Sequence, residues 1–491
     1  MKTKTFTVLI LAICVGFLLT RLPELGFDFT NNDAFRWHTR SQNFAKALKN
    51  GDFAQTYQRY HPGVTLMWLN SAVIFVTTNY QTLFTHTGDI KTLQNADYFP
   101  ILDGISRGEL VLVLLVLLLV QIFTLEKLFN KKVALFYGAL VVVEPYMIGI
   151  NRWFHLTSLE VFFGFTSLLL AFYWHKFTSQ RALGFSAVFL ALAILTKMTA
   201  LITLPVLLVV FASKYAKTKK LAVPLLFAGI TLVTIFVLFP ALWVDPLGVY
   251  HQIYNHVFLA VTDNERAYML PMYIQPIYYL VILALKLSPL TLLLFLFALA
   301  QLVRLHKTTD FYIKLSVLAF AWYYVLLSIT EQKIDRYALA LVPFVLVICA
   351  YTLADLSKKV QILFGILALL FIGFISWQYF PMYSAYYSPL FGGTRTALKL
   401  SVYENDGAYF SNAAFYLNTK GRDKNVYVPD NFEAFSSYYK GNAQRELDAT
   451  TDYVVTSLDI DRLTFDGHGC SVLAKTFGNR ELQVVAVYSC K

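Results

Sequence analysis

The run VLVLLVLLLV, residues 111–120, holds no polar side chain. As an α-helix its ten residues rise ~15 Å, half the thickness of bilayer hydrocarbon, and the apolar span around it reads from 108 to 125. A second run, LAVPLLFAGITLVTIFVLFPALW at 221–243, is long enough to cross on its own. Reading outward from these two, similar spans fall at 5–20, 133–151, 156–174, 182–196, 199–213, 222–242, 288–303, 312–330, 337–354 and 361–378. The 491 residues are 57% hydrophobic and only 14% charged, where soluble domains carry about a quarter charged. A soluble fold is excluded. The expected architecture is an all-α polytopic membrane bundle of about eleven transmembrane helices, residues 1–378, followed by a small extracytoplasmic α/β domain, 379–491.

The first span, Thr5 to Leu19, follows Met1-Lys2-Thr3-Lys4 but has no clear small-residue cleavage site, so it reads as a retained helix rather than a signal peptide. A net charge of +11 could suggest nucleic acid, but the positions of the charges point elsewhere. With alternating spans, Lys2/Lys4, Lys127/Lys131/Lys132, Lys176/Arg181, Lys214/Lys217/Lys219/Lys220, Arg304/Lys307 and Lys358/Lys359 all fall on one side, as cytoplasmic loops should. The expectation is a multi-pass plasma-membrane protein with a cytoplasmic N-terminus and an external tail.

Two longer external segments stand out. Residues 21–107 hold eight basic and seven acidic side chains, with a short helix expected at Thr39–Leu48 and an apolar segment at Val64–Val76, both along or dipping into the membrane surface. Residues 244–287 are rich in Tyr, and Lys286 is placed at the outer interface because a mid-bilayer lysine is costly. In the tail, Ala408–Leu417 reads as a helix and Asn425–Val428 and Tyr453–Thr456 as strands. Cys470 and Cys490 bracket a hairpin turning near Gly478-Asn479, where a disulfide suits the external location. Cys14 and Cys349, within apolar spans, read as packing residues.

Ionisable residues in or beside spans need partners or a task, and here they gather on the external side. Asp33 lies in FTNNDAFRWHTR, and His61 precedes Pro62-Gly63. Glu144 and Glu160 flank the turn Asn151-Arg152-Trp153-Phe154-His155. Lys197 ends a span, and Glu331-Gln332-Lys333-Ile334-Asp335-Arg336-Tyr337 forms another external turn. Acids beside Arg and Lys in an external cavity suit a lipid-phosphate donor, with its tail in the bilayer, its phosphate on the cations and its head group against the acids. The plainer readings are snorkelling cations, Glu144 and Glu160 paired with Arg152 and Lys197 to hold helices together, Asp33 capping a helix, and ordinary turn chemistry for His61.

The strings HPGVTLMW, EPYMIGINRWFHLTSLEVFF, LAILTKMTALITLP, FPALWVDP, LALKLSP with Lys286, QKIDRYALALVPF and YSAYYSPLFGG, in that order, resemble the membrane-embedded glycosyltransferases that use polyprenyl-phosphate sugars, of GT-C type: the protein O-mannosyltransferases and lipid A aminoarabinose transferases. The resemblance implies an inverting transfer from a polyprenyl-phosphate sugar to a hydroxyl of a protein, glycan or lipid acceptor, with Asp33 as general base. It implies phosphate-binding cations at Arg336, Lys197 and Lys333, and substrate contacts at His61, Arg152, His155, Glu160, Lys286 and Tyr337. Two positions depart from the family pattern: Ala34 follows Asp33 where a second acid is common, and Thr157 stands where Asp is common. For a divalent metal, Mg or Mn, the sequence offers no clear ligand cluster, and metal dependence stays open. The alternative is a transporter or flippase of lipid-linked sugars, which should show repeats and broken mid-membrane helices.

Overall fold

A computed structural model describes residues 3–85, 96–218, 221–262, 270–305, 308–330, 332–404, 406–458 and 469–490. Lys219, Lys220, Lys307 and Glu331 lie outside the described residues. Apolar helices dominate. They are α1 (Thr3–Arg21), α2 (Asn32–Asn50), α3 (Val64–Thr85), α4 (Phe99–Leu128), α5 (Lys131–Val143), α6 (Pro145–Asn151), α7 (Leu156–Phe177), α8 (Gln180–Thr196), α9 (Leu204–Thr218) and α10 (Ala222–Leu238). After α11 (Ala241–Val244) and α12 (Pro246–Thr262) come α13 (Tyr278–Lys286), α14 (Pro289–Arg304), α15 (Phe311–Ile329), α16 (Val342–Asp355) and α17 (Lys358–Tyr379).

Seven helices among the described residues are long and apolar enough to cross a membrane, and an eighth is counted if α5 and α6 form one broken span. The break, a 67° bend, falls at Glu144-Pro145, where proline has no N–H to donate and pushes its predecessor into extended backbone. The remaining expected spans appear as the shorter helices α8, α10 and α14. The chain is an integral, multi-pass membrane protein.

Burial sorts the helices. α7 is enclosed along most of its length, and it approaches α8 closely enough for Ser167 Oγ to donate to the Ser186 carbonyl and Ser186 Oγ to donate back, both at 2.7 Å. α17 presents Leu369 and Leu370 outward, as a lipid-facing helix should. At one end of the bundle lie α2 and the start of α3. α2 begins at Asn32 rather than near Thr39, because Asn31 Oδ1 caps the Ala34 N–H at 2.7 Å. α3 runs on for 22 residues, longer than the expected apolar segment.

The tail domain sits at the same end. Helices α18 (Gly393–Lys399), α19 (Phe410–Asn418) and α20 (Phe432–Ser436) accompany strands β1 (Asn425–Tyr427), β2 (Asn442–Gln444), β3 (Tyr453–Ser457), β4 (Val472–Gly478) and β5 (Gln483–Ser489). The sheet order is β2-β1-β3-β5-β4, parallel at β2-β1-β3 and antiparallel beyond. The Cys470–Cys490 disulfide is formed, tying the hairpin's outer ends. The segment after Gln378 first packs into the bundle: Tyr386 and Tyr387 are fully buried, and Ser388 N donates to the Leu285 carbonyl. The stretch between the last membrane helix and the sheet thus packs on the bundle.

Candidate active site

Asp33 stands in the first turn of α2, and α2 is held from behind. His38 Nε2 lies 2.9 Å from Asp103 of α4, Asn70 of α3 contacts His38 Nδ1 at 3.2 Å, and Ser106 donates to Asn70 at 2.7 Å. A second anchor is Asp28, which accepts from Arg107 and, at 2.7 Å, from Arg152. Buried pairs of this kind fix geometry, since removing one partner strands a charge.

With α2 fixed, the Asp33 carboxylate, about one-third exposed, meets two elements distant in sequence. Its Oδ2 lies 3.0 Å from Arg336 Nη2 and 3.5 Å from His155 Nε2, while Oδ1 is 3.8 Å from Arg36. Arg336 reaches Asp406 of the tail with its other terminal nitrogen, at 3.4 Å. The loop bearing Arg336 is positioned by Tyr146 of α6, whose hydroxyl donates to the Asp335 carbonyl at 2.6 Å, and by Glu404, which accepts from Asp335 N at 2.8 Å.

His155 caps α7. Its Nδ1 accepts from Thr157 N at 3.2 Å, so a neutral ring carries its proton on Nε2, the atom facing Asp33. Burial pushes the His155 pKa down to about 4, with the Asp33 carboxylate pulling against it. At Asp33 burial works to raise the pKa, but the hydrogen bond with His155 and the charges of Arg336 and Arg36 outweigh it and hold the carboxyl well below the usual range.

The neighbouring residues Arg336 and Tyr337 line two different cavities. A polar one of about 400 Å³ is lined by Asp33, Arg36 and Arg336 on the bundle side and by Glu404, Asp406 and Asp430 on the tail side. An apolar one of about 730 Å³ lies between helices, with Leu195, Leu232, Ile253 and Leu327 in its walls and His61, Thr199 and Tyr337 at its polar positions. Burial, then the neighbouring Lys197, His155, Arg59 and Arg40, lower the His61 pKa well below the ordinary value. The nearly buried Lys197 sits under the Tyr337 ring, its Nζ 3.9 Å from the ring centre and 3.7 Å from Glu160, which also accepts from Thr199.

Asp33, His155, Arg336, Tyr337, His61, Lys197 and Glu160 are thus gathered around one junction. Three other expected substrate contacts are not. Arg152 spends its donors on the carbonyls of Arg21 and Pro23 and on Asp28, stapling the turn after α1. Lys333 donates to the carbonyls of Ser328, at 2.8 Å, and Thr330, capping the C-terminus of α15. Lys286 is buried against Asp335 at 3.2 Å and the Ser384 carbonyl at 3.1 Å. These cations satisfy backbone carbonyls or buried acids. Glu144 pairs with neither Arg152 nor Lys197; its Oε1 accepts from Ser288 N at 2.8 Å.

Sequence reasoning missed Arg36, Glu404, Asp406 and Asp430. The only local signal was the acid-rich turn Tyr403-Glu404-Asn405-Asp406-Gly407 at the head of the tail domain, which nothing in the chain order connects with Asp33.

The family described as dolichyl-phosphate-mannose-protein mannosyltransferase matches residues 55–261. Among solved structures, ArnT from Cupriavidus metallidurans bound to undecaprenyl phosphate is similar over 99% of this chain and 98% of that one, at 13% identity and a TM-score of 0.56. AglB from Archaeoglobus fulgidus, an archaeal oligosaccharyltransferase in complex with an inhibitory peptide and a dolichol-phosphate, aligns over 97% of this chain and 74% of its own, at 9% identity and a TM-score of 0.42. None of the curated proteins matches the chain. The resemblance carried by the sequence motifs holds in the family match and in the fold, which is of GT-C type.

Proposed function

We propose that the chain is an inverting glycosyltransferase that moves a sugar from a polyprenyl-phosphate donor to an acceptor hydroxyl on the extracytoplasmic face of the membrane. The observation that carries this reading is the Asp33–Arg336 pair lining a polar cavity, with the next residue, Tyr337, lining an apolar one. The apolar cavity suits the prenyl tail, Arg336 and Lys197 suit the phosphate, and the polar cavity suits the acceptor. The acceptor oxygen attacks the anomeric carbon while the bond from that carbon to the phosphate oxygen breaks. The electron pair leaves with the phosphate, neutralised by Arg336, and the hydroxyl proton passes to Asp33.

A carboxylate held this far below its ordinary pKa is a weak base until its cations are drawn away. A donor phosphate competes for Arg336, so binding of the donor itself relieves Asp33 and raises its basicity. The test supplies purified protein with a panel of prenyl-phosphate sugars and cell-envelope acceptors and reads products by mass spectrometry. Transfer by the native protein and a loss of ~10²–10⁴-fold in Asp33→Asn are expected. Near-normal turnover by that variant, with insertion intact, would remove Asp33 from the mechanism.

A further inference from the structure

We propose that Asp335, Glu404 and Asp406 form a site for one hard divalent cation, of the Ca2+ and Mn2+ class, in the wall of the polar cavity. Each offers a carboxylate oxygen, and the three oxygens lie within 4.8 Å of one another. Ligand oxygens on opposite sides of a Ca2+ ion stand ~4.6–5.2 Å apart, so this spacing lets all three reach one ion without rearrangement of the backbone. An all-oxygen donor set favours hard cations over zinc or copper. Glu404 and Asp406 line the cavity, which gives an ion and its remaining water ligands a route in.

The second observation is at Asp335, only 2% exposed. Its Oδ2 is occupied by Lys286 at 3.2 Å, while its Oδ1 is buried with no hydrogen-bond partner among the described residues. An unsatisfied buried carboxylate oxygen is expensive, and a cation is the partner that an acceptor-only group can use. The charges agree. The three carboxylates Asp335, Glu404 and Asp406 stand beside two cations, Lys286 against Asp335 and Arg336 against Asp406, so the cluster itself is acidic.

Because Asp406 also faces Arg336 at 3.4 Å, an ion on Asp406 competes with that guanidinium and leaves it to Asp33 or to a bound anion. The site therefore couples to the proposed chemistry, although its occupancy does not depend on it. Its ligands come from turns about 70 residues apart, which is why no cluster is visible in the sequence.

The experiment uses the full-length protein in detergent, stripped with EDTA and titrated with Mn2+ while free Mn2+ is followed by electron paramagnetic resonance. One saturable Mn2+ per chain, displaced by Ca2+, is expected. Asp406→Asn and Glu404→Gln should each weaken binding at least tenfold, whereas Asp423→Asn, at a fully solvated acid of the same domain, should leave it within twofold. Metal-free melting of Asp406→Asn should match the native protein, with only the Ca2+-dependent rise lost. Absence of saturable binding, or equal weakening by Asp423→Asn, overturns the proposal. Neither readout uses glycosyl transfer, so failure here is distinct from failure of the proposed reaction.

Discussion

At the scale of single residues, the junction is a balance among Asp33, His155 and Arg336, and each member can be tested separately. His155 carries a pKa of about 4, below the ~6.5 of an unfolded histidine, so between these values the unfolded chain binds the extra proton. The stability from a neutral His155 is present above pH ~6.5 and is lost as pH falls toward 4. His61 shifts in the same direction. Melting temperature should therefore fall as pH drops from 6.5 to 4.5. His155→Asn, which keeps an N-cap acceptor for Thr157, should flatten part of that slope; an unchanged slope would mean that His155 is already charged in the fold. Arg336 spans Asp33 and Asp406 with two nitrogens, a geometry that a lysine cannot reproduce. Arg336→Lys should lower affinity for a prenyl-phosphate ligand by tenfold or more, measured by direct binding, and unchanged affinity would take Arg336 out of phosphate recognition.

At the scale of elements, α2 decides where Asp33 points, and α2 depends on a glycine in another segment. Gly63 has φ +61°, and a Cβ there would stand 2.1 Å from the Trp37 ring. Gly63→Ala adds left-handed strain of ~1–2 kcal/mol to an overpacking cost of ~1–3 kcal/mol. A lower melting temperature and reduced transfer are expected, with part of the stability restored by trimming Trp37 in Trp37→Leu/Gly63→Ala. A double variant no better than the single one would place the strain elsewhere. The sequence announces most of the bundle because lipid-facing and core helices share long apolar runs. It hides the true start of α2, whose buried face includes the polar His38 and Ser41. Those residues are buried because Asp103 and Asn70 answer His38 and the Trp37 carbonyl accepts from Ser41, and the partners of His38 belong to helices that no local periodicity can reveal.

At the scale of the whole molecule, the tail domain completes the cavity rather than merely following the bundle. Asn32, next to Asp33, donates to Asn431 at 3.2 Å and accepts from Ala434 N at 3.3 Å; Ser411 donates to the Asp28 carbonyl. Asp33 and Arg336 could be nominated from local motifs, whereas Asp406 and Asp430 could not, since only docking of the tail brings them opposite. The same division sets where the chain can be cut. Residues from Tyr379 to Glu404 serve the bundle: Lys286 bonds the Ser384 carbonyl, the Tyr387 ring covers that lysine at 3.7 Å, and Glu404 holds Asp335. A chain ending at Glu404 should still insert and melt cooperatively, measured by size exclusion and thermal unfolding in detergent, whereas one ending at Gln378 should not, having left Lys286 and Asp335 without their neighbours. Both should lack transfer, the longer one because the wall carrying Asp406 and Asp430 is gone. Equal stability of the two truncations would show that the segment after the last helix is dispensable, and that the buried lysine is held by the helices alone.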